Sequence, residues 1–183
     1  MDVRQCEIPE VLEIRPPRFD DARGFFSEVY NAGTLAAYGV SLTFVQDNHS
    51  LSRDTGTVRG LHFQVPPYAQ DKLVRVPRGR ILDVAVDIRV GAPTFGRHVA
   101  VELSATAWNQ LLVPAGFAHG FCTLEPDTEV IYKVTAHYAP AHDRGLLWND
   151  PDLRIAWPVA TGDAVVAAKD TAHPRLADLP AYF

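Results

Sequence analysis

The chain has 183 residues, and its 17 Lys and Arg against 22 Asp and Glu give a formal net charge of −5. At roughly 150 residues per domain, this length predicts a single domain over residues 1–183 with a full hydrophobic core. Hydrophobic residues make up 47% and charged residues 21%, which excludes a wholly disordered chain. No basic stripe and no run of about 18 apolar residues is present, so neither a nucleic-acid partner nor a membrane span is expected.

The N-terminal segment and the cysteines bear on cellular location. Residues 1–17 lack the apolar stretch of a secretory signal, so a cytoplasmic protein is expected. Cys6 and Cys122 lie in no CxxC pair and have no zinc-site spacing. Since cysteines of an unexported chain are more often free, the sequence predicts two free thiols.

Short β-type runs separated by turn signals dominate the chain. They are VLEI (11–14), LTFVQ (42–46), KLVRV (72–76), ILDVAVDIRV (81–90), HVAVEL (98–103), QLLVP (110–114) and EVIYKVTAHY (129–138). The best helical candidate is 31–39, which Asn31 opens and Gly39 closes, and a second short helix is expected near the C-terminus. The pattern predicts an all-β chain, a closed double-sheet jelly roll.

The run 81–90 alternates between two kinds of side chain. Its even-numbered positions are all aliphatic, whereas its odd-numbered positions include Asp83, Asp87 and Arg89. Because successive strand residues point to opposite faces, this strand has one strongly apolar face and one mixed face that carries carboxylates.

The segment 57–64 is dense in reactive side chains. Strict alternation places Arg59, Leu61 and Phe63 on one face and His62 on the other. On this segment alone, a core histidine bonded to a backbone carbonyl is the better interpretation of His62.

Two further segments carry polar groups among apolar ones. In 114–121, His119 lies between aromatic residues. In 129–135, Ile131 and Lys133 share one face of the predicted strand and Tyr132 lies on the other. Taken singly, a strand tyrosine is usually a packing residue, and the charged residues at 169–170 could be a solvated pair. A metal site on His62 and His119 would need a carboxylate as well, so no metal is expected.

Taken together, these segments resemble the dTDP-4-dehydrorhamnose 3,5-epimerase family, the cupin-type epimerases of deoxysugar biosynthesis. The resemblance runs from FDDARGFF (19–26) to the Lys-Asp pair at 169–170, which is most of the chain. Its other blocks are FVQDNHS (44–50), VRGLHFQ (58–64), QDKLVRV (70–76), DVAVDIR (83–89), PTFG (93–96), PAGFAHGF (114–121), YKVT (132–135) and WNDP (148–151).

The resemblance implies a double-stranded β-helix, the jelly-roll or cupin barrel, with a few short helices. It implies a dTDP-linked 4-keto-6-deoxyhexose as substrate, epimerised at C3 and C5 to dTDP-4-keto-L-rhamnose, and neither a metal nor an organic cofactor. It also implies a homodimer with exchanged N-terminal strands. Elementary physics lends modest support, because a strand such as VLEI needs an edge to pair with.

Matching the family position by position assigns roles to individual residues. His62 resembles the general base, Asp170 its carboxylate partner, and Tyr132 the acid on the opposite face of the sugar. Lys72 matches the residue beside the keto oxygen. The implied contacts to the sugar, the nucleotide and its phosphates are Arg23, Glu28, Gln46, Asn48, Arg59, His119, Asp143 and Lys169, with Tyr138 stacked on thymine. Arg23 and Glu28 would serve the partner's site.

Two positions depart from the family pattern. Asp143 stands where the family usually has Glu, so a ligand contact there is expected to lengthen or to be bridged by water. Ala167 stands where the family usually has Ser, which removes at most one hydrogen bond. Neither departure touches the predicted acid or base.

Three alternatives stay open on the sequence. One is a metal-using cupin built on His62 and His119, and another is a non-catalytic nucleotide-sugar binder. The third is a 3-epimerase or 3,4-ketoisomerase acting on a related sugar, against which Tyr132 favours inversion at C5.

Overall fold

The computed structural model describes all 183 residues and is built almost entirely of strands. The strands are β1 (Asp2–Gln5), β2 (Leu12–Arg15), β3 (Phe19–Asp21), β4 (Gly24–Phe26), β5 (Gln46–Ser52), β6 (Thr57–Gln64), β7 (Lys72–Arg78), β8 (Arg80–Asp87), β9 (His98–Ser104), β10 (Gln110–Val113), β11 (Phe117–Thr123), β12 (Thr128–Val134), β13 (Asp143–Gly145) and β14 (Val165–Val166). The helices are α1 (Ala32–Ala36) and three 3-10 turns, Pro140–His142, Ala168–Thr171 and Leu176–Asp178.

The strands form two facing sheets and a separate hairpin. The first sheet has the order β1-β2-β10-β7-β12-β5, and the second has the order β13-β6-β11-β8-β9, with β14 parallel to β6. Strands β3 and β4 pair only with each other. All pairs except β14–β6 are antiparallel, so the all-β, double-sheet jelly roll predicted from the sequence is confirmed.

The apolar core lies between the two sheets. Val74 and Leu111 of the first sheet meet Ile81, Leu103 and Phe117 of the second, and all five are buried. Truncating such a residue to alanine costs about 2–5 kcal/mol, because a cavity adds to the lost transfer free energy. This core holds the two sheets in the spacing that the cleft described below requires.

Strand β8 turns its more apolar face away from the space between the sheets. Val84 and Val86 pack on the outside of the second sheet beneath Leu146 and Leu153. On the opposite face, Asp83 bonds a histidine of β11 and lies between the sheets. The predicted alternation is confirmed, and the mixed face is the one that faces inward.

The helical prediction is confirmed in place and corrected in length. Helix α1 covers only Ala32–Ala36, and the side chain of Asn31 caps it by accepting a hydrogen bond from the Thr34 N–H at 3.0 Å. Gly39 follows with a positive φ of 82°. The short helix expected near the C-terminus is present as two 3-10 turns. No helix is both long and apolar enough to cross a membrane.

Three predicted strands differ from the structure by more than two residues at one or both ends. Residues 42–45 of the run LTFVQ are not a strand, because Leu42 and Phe44 pack against the outside of the first sheet near α1. The runs 81–90 and 129–138 end at Asp87 and Val134. After Asp87 and after Val134 the chain leaves the sheet to which the strand belongs.

The N-terminal strands find their partners within the same chain. Strand β2, which contains most of VLEI, pairs with β10 and with β1. Strand β10 thus supplies the edge that VLEI was expected to take from a neighbouring subunit, so the need for an edge lends strand exchange no support. The hairpin β3–β4 pairs with neither large sheet, and Phe19, Phe25 and Phe26 on it are 61%, 51% and 69% exposed. The two cysteines are free thiols, as predicted.

Candidate active site

A cleft of about 670 Å³ opens between the two sheets. Strands β5, β7 and β12 form one wall, β6 and β11 form the other, and residues 165–170 close one side. The predicted site residues that line it are Gln46, Asn48, Arg59, His62, Lys72, His119, Tyr132, Tyr138, Asp143, Lys169 and Asp170. The fold thus gathers residues separated by more than a hundred positions in sequence.

Two predicted residues are not brought to this cleft. Arg23 lies in the turn of the β3–β4 hairpin with its side chain 90% exposed, and it pairs with Asp21 at 2.6 Å. Glu28 follows the hairpin and does not line the cleft either. Within one chain, neither side chain belongs to the site.

His62 and Asp170 form a hydrogen-bonded pair at the wall of the cleft. Nε2 of His62 lies 2.7 Å from Oδ1 of Asp170, which is buried in the 3-10 turn Ala168–Thr171. The Gly60 N–H donates to the other carboxylate oxygen at 3.2 Å. Burial raises the pKa of Asp170, but the hydrogen bonds from His62 and from the Gly60 N–H outweigh burial and hold this pKa below its usual value.

The charge state of Asp170 fixes the tautomer of the imidazole. An ionised carboxylate can only accept, so the hydrogen lies on Nε2 of His62. Nδ1 then keeps its lone pair and makes no hydrogen bond within the chain, which suits a base. The interpretation of His62 as a core histidine bonded to a backbone carbonyl is therefore wrong.

A bulge in β6 brings Arg59 to the same side as His62. His62 of β6 pairs with His119 of β11, and Arg59 of β6 pairs with Phe121 of β11. The β6 residues are three apart and the β11 residues are two apart, so β6 has one extra residue between the two pairs. The prediction that Arg59 shares a face with Leu61 is wrong, because the extra residue reverses the alternation. Arg59 lines the cleft, while Leu61 packs in the outer core.

Glycine is needed at the point of the bulge. Gly60 has a φ of +121°, a conformation that side chains rarely adopt. A Cβ at this position would lie 2.7 Å from the Gly120 Cα and from the His119 carbonyl oxygen. The two strands therefore approach more closely here than any larger residue allows.

His119 forms the second imidazole–carboxylate pair of the site. Its Nε2 lies 2.7 Å from Oδ1 of Asp83, and both side chains are buried. Oδ2 of Asp83 has no hydrogen-bond partner. Because Nε2 of His119 and Nε2 of His62 each bond their own carboxylate, the two rings are separately anchored.

Lys72 is a buried cation at the floor of the cleft. Its Nζ donates to the His62 carbonyl oxygen at 3.1 Å. Burial lowers the pKa of Lys72 to about 8, against the opposing attraction of Asp143 and Asp83. At neutral pH the amine remains mostly protonated, as a group that stabilises negative charge must be.

The pKa of Lys72 predicts opposite pH trends in activity and stability. Its value of about 8 in the fold, against 10.5 for the free side chain, means that the unfolded chain binds more protons between these pH values. The Lys72 contribution to the unfolding free energy therefore rises with pH in this window, by up to about 1.4 kcal/mol per pH unit. Over the same window kcat/KM should fall, and both trends are read from urea unfolding and initial rates at each pH.

Lys72→Met is the matched control for these trends. It should lose the rise in unfolding free energy between pH 8 and 10.5 and should be inactive throughout. A wild-type kcat/KM that stays level up to pH 10 would contradict the assignment of charge at Lys72.

Tyr132 lies on the wall opposite His62. It stands on β12, between Asn48 of β5 and Val74 of β7, whereas His62 stands on β6 of the other sheet. Burial raises the pKa of Tyr132, although the charge of Arg59 opposes this. The phenol is therefore neutral at physiological pH and can donate a proton.

The open end of the cleft is polar and partly exposed. Tyr138 is 56% exposed, and its backbone N–H donates to Gln46 Oε1 at 2.9 Å. Gln46 in turn donates to Asn48 Oδ1 at 2.8 Å. The Tyr138 hydroxyl lies 3.5 Å from Asp143, so the shorter carboxylate at this position still reaches the rim. Ala167 lines the cleft without offering a hydroxyl.

The chain matches known proteins along nearly its whole length. The family model described as dTDP-4-dehydrorhamnose 3,5-epimerase matches residues 5–178. The chain belongs to the dTDP-4-dehydrorhamnose 3,5-epimerase family. It is 52% identical over 183 residues to the dTDP-4-dehydrorhamnose 3,5-epimerase of Sinorhizobium fredii, covering 100% of this chain and 93% of that relative.

Two solved structures of this epimerase family are similar as well. The Bacillus anthracis dTDP-4-dehydrorhamnose 3,5-epimerase with TDP and PPi bound has a TM-score of 0.92 and 48% identity, covering 95% of this chain and 98% of that one. The Legionella pneumophila dTDP-6-deoxy-D-glucose-3,5-epimerase in complex with dTDP-4-keto-L-rhamnose has a TM-score of 0.93 and 40% identity, covering 98% of this chain and 95% of that one. The family predicted from the sequence blocks is thus confirmed.

Two side chains that contact residues of the cleft were not predicted from the sequence. Asp83 holds His119, and the alternation of β8 could have pointed to its inward position. His173 lies 3.5 Å from Asp170, and its ring meets the His62 ring edge-on at 5.7 Å. The only sequence signal for His173 was its position three residues after Asp170, just beyond the 3-10 turn Ala168–Thr171.

Proposed function

We propose that His62 and Tyr132 act from opposite walls of the cleft on a dTDP-linked 4-keto-6-deoxy sugar and epimerise it at C3 and C5. The observation that carries the proposal is the His62–Asp170 pair at 2.7 Å on one sheet, with a neutral phenol on the other. Inversion needs a proton removed from one face of a carbon and another delivered to the opposite face, which two facing walls provide.

The reaction proceeds through an enolate. The C4 ketone acidifies the protons on C3 and C5, so that Nδ1 of His62 can remove them. Asp170 stabilises the imidazolium that forms, because its carboxylate already accepts from Nε2 at 2.7 Å. Lys72 stabilises the charge that develops on the keto oxygen in the transition state, and its burial strengthens this interaction.

The remaining cleft residues fit a nucleoside diphosphate. Arg59 is held by hydrogen bonds to Ser52 Oγ and the Leu51 carbonyl, both at 3.0 Å, which orients its guanidinium for anionic oxygens. Lys169 adds a second cation at the edge of the cleft. The exposed Tyr138 ring offers a face on which thymine can stack. A base, an acid and a cation exceed what a non-catalytic binder needs.

The function is tested by the fate of hydrogen at C3 and C5. The unmodified protein is incubated with dTDP-4-keto-6-deoxyglucose in deuterated water, coupled to a reductase, and the product is analysed by NMR. Deuterium with inversion at both carbons is expected. Deuterium at C3 alone would indicate a 3-epimerase, and no deuterium would indicate a binder. Activity lost on chelation and regained with added metal would favour the metal-using cupin.

We propose further that the protein works as a homodimer in which the β3–β4 hairpin reaches the site of a second copy. No other strand of its own chain pairs with this hairpin, which exposes three phenylalanines, although Phe25 also meets the Trp108 ring edge-on at 4.8 Å. Burying their rings against a second copy would remove a large apolar surface from water. Arg23 and Glu28, in and beside this hairpin, would then contribute to the partner's cleft.

Shared sites predict complementation between two inactive variants. His62→Ala and Arg23→Ala homodimers should each be impaired, the first in turnover and the second in nucleotide affinity. In a mixed dimer, one site carries both defects and the other carries none. Refolding the two chains together in equal amounts should therefore restore roughly one intact site in four, measured as epimerase rate.

The control for complementation is a mixture of His62→Ala with Asp170→Asn. Both residues serve the same chain's site, so their mixture should restore nothing. A fully active monomer in light scattering, or failure of His62→Ala and Arg23→Ala to complement, would contradict the shared site.

A further inference from the structure

Three potential metal ligands converge beside the cleft. One donor atom each of His62, Asp170 and His173 lies within 4.8 Å of the other two. Nε2 of His62 is 2.7 Å and Nε2 of His173 is 3.5 Å from the same oxygen, Oδ1 of Asp170. Two imidazoles and one carboxylate form a donor set that suits zinc and other late divalent metals.

His173 is the unexplained member of this group. Its Nε2 is buried and has no hydrogen-bond partner. An imidazole with its hydrogen on Nδ1 has a lone pair on Nε2 to offer to a metal, and no group of the chain takes up that position on His173. The ring does not line the cleft, and the proposed reaction does not use it.

The fold fixes the position of the His173 ring. A Cβ on Gly145 would collide with three atoms of the ring, so the ring occupies space that only glycine leaves open. The 3-10 turn that carries Asp170 ends at Thr171, which brings the His173 ring back towards the carboxylate. The unpartnered nitrogen is thus held next to the catalytic pair by packing.

We propose that His62, Asp170 and His173 form an inhibitory binding site for Zn²⁺. The metal takes the place of the hydrogen between Nε2 of His62 and Asp170, and Nε2 of His173 completes the set. The proton on Nε2 of His62 leaves to solvent, and Nδ1 takes one up, so the ring stays neutral overall. Nδ1 then has no lone pair, and His62 cannot remove a proton from the substrate.

The test measures zinc binding and turnover separately. The full-length protein, stripped with a chelator that is then removed, is titrated with ZnCl2 by calorimetry and assayed at the same zinc concentrations. One ion per chain is expected, with loss of activity following occupancy and recovery on adding EDTA. His173→Gln should weaken zinc binding and inhibition together by at least about 10–100-fold, the loss that even an outer-shell change produces.

His49→Gln is the matched control. His49 pairs with Glu129 at 2.8 Å on the exposed side of β5, so it is an imidazole–carboxylate pair outside the cluster. This variant should bind zinc as the parent does. Unchanged zinc affinity in His173→Gln, or zinc bound without inhibition, would overturn the proposal.

X-ray absorption on the zinc-loaded parent covers the case in which His173→Gln does not fold. Two imidazole ligands are expected, and one or none would count against the site. The expected loss of activity rests on the proposed role of His62 as the base. Zinc binding measured by calorimetry does not depend on turnover. Zinc binding in a parent that shows no epimerisation would therefore refute the proposed function and leave the metal site standing.

Discussion

His62→Ala should abolish epimerisation and leave dTDP binding nearly unchanged. Removing a general base typically slows a reaction by about 10²–10⁴-fold. The nucleotide contacts proposed here lie on other side chains, so affinity for dTDP should survive. The rate is measured by the coupled reductase assay, and the affinity by calorimetry with dTDP. Retention of more than a tenth of the parent rate would contradict the assignment of His62 as the base.

Asp170→Asn should impair the same proton transfer less severely than His62→Ala does. The amide keeps the shape of the buried side chain, so the His62 ring stays placed while its imidazolium loses a counter-charge. An amide can also donate, so the tautomer with hydrogen on Nε2 is no longer imposed. The expected rate lies between those of the parent and His62→Ala. An Asp170→Asn protein as active as the parent would reduce Asp170 to a structural partner of Lys169.

Much of the architecture could be predicted because hydrophobic alternation marks strands that have one buried face. The runs around β7, β8, β9 and β10 are of this kind, and each was located within a few residues. Strand β5 was missed beyond its first residue, because its inward side chains are Gln46, Asn48 and Ser50, which line the cleft. A strand that builds a polar site carries no hydrophobic pattern.

Because of the bulge in β6, the alternation of side chains along this strand did not predict correctly which residues face the cleft. A single extra residue reverses the faces of everything that follows it, so Arg59 and His62 share a face although they are three apart. Gly60 was the only local signal. The pairing of His62 with Asp170 spans 108 positions, and no local pattern encodes such a contact. Only the resemblance of ordered sequence blocks to a known family pointed to it.

Tyr132→Phe should separate proton removal from inversion. The variant keeps the ring and loses only the hydroxyl, so folding and the packing of β12 should survive. His62 on the opposite sheet still removes the C5 proton, and Lys72 still stabilises the enolate. Without a donor on the other face, His62 returns a proton to the face from which it came. Deuterium should therefore enter C5 with retained configuration, while inversion at C5 falls by about 10²-fold or more.

The parent protein and His62→Ala are the two controls for the Tyr132→Phe experiment. In deuterated water the parent should give deuterium with inversion at C3 and C5, and His62→Ala should give no deuterium at either carbon. Product NMR after trapping with the reductase distinguishes the three patterns. Inversion at C5 at the parent rate in Tyr132→Phe would mean that solvent or another side chain delivers the proton. In that case the raised pKa of Tyr132 would reflect burial in the wall of the cleft and nothing more.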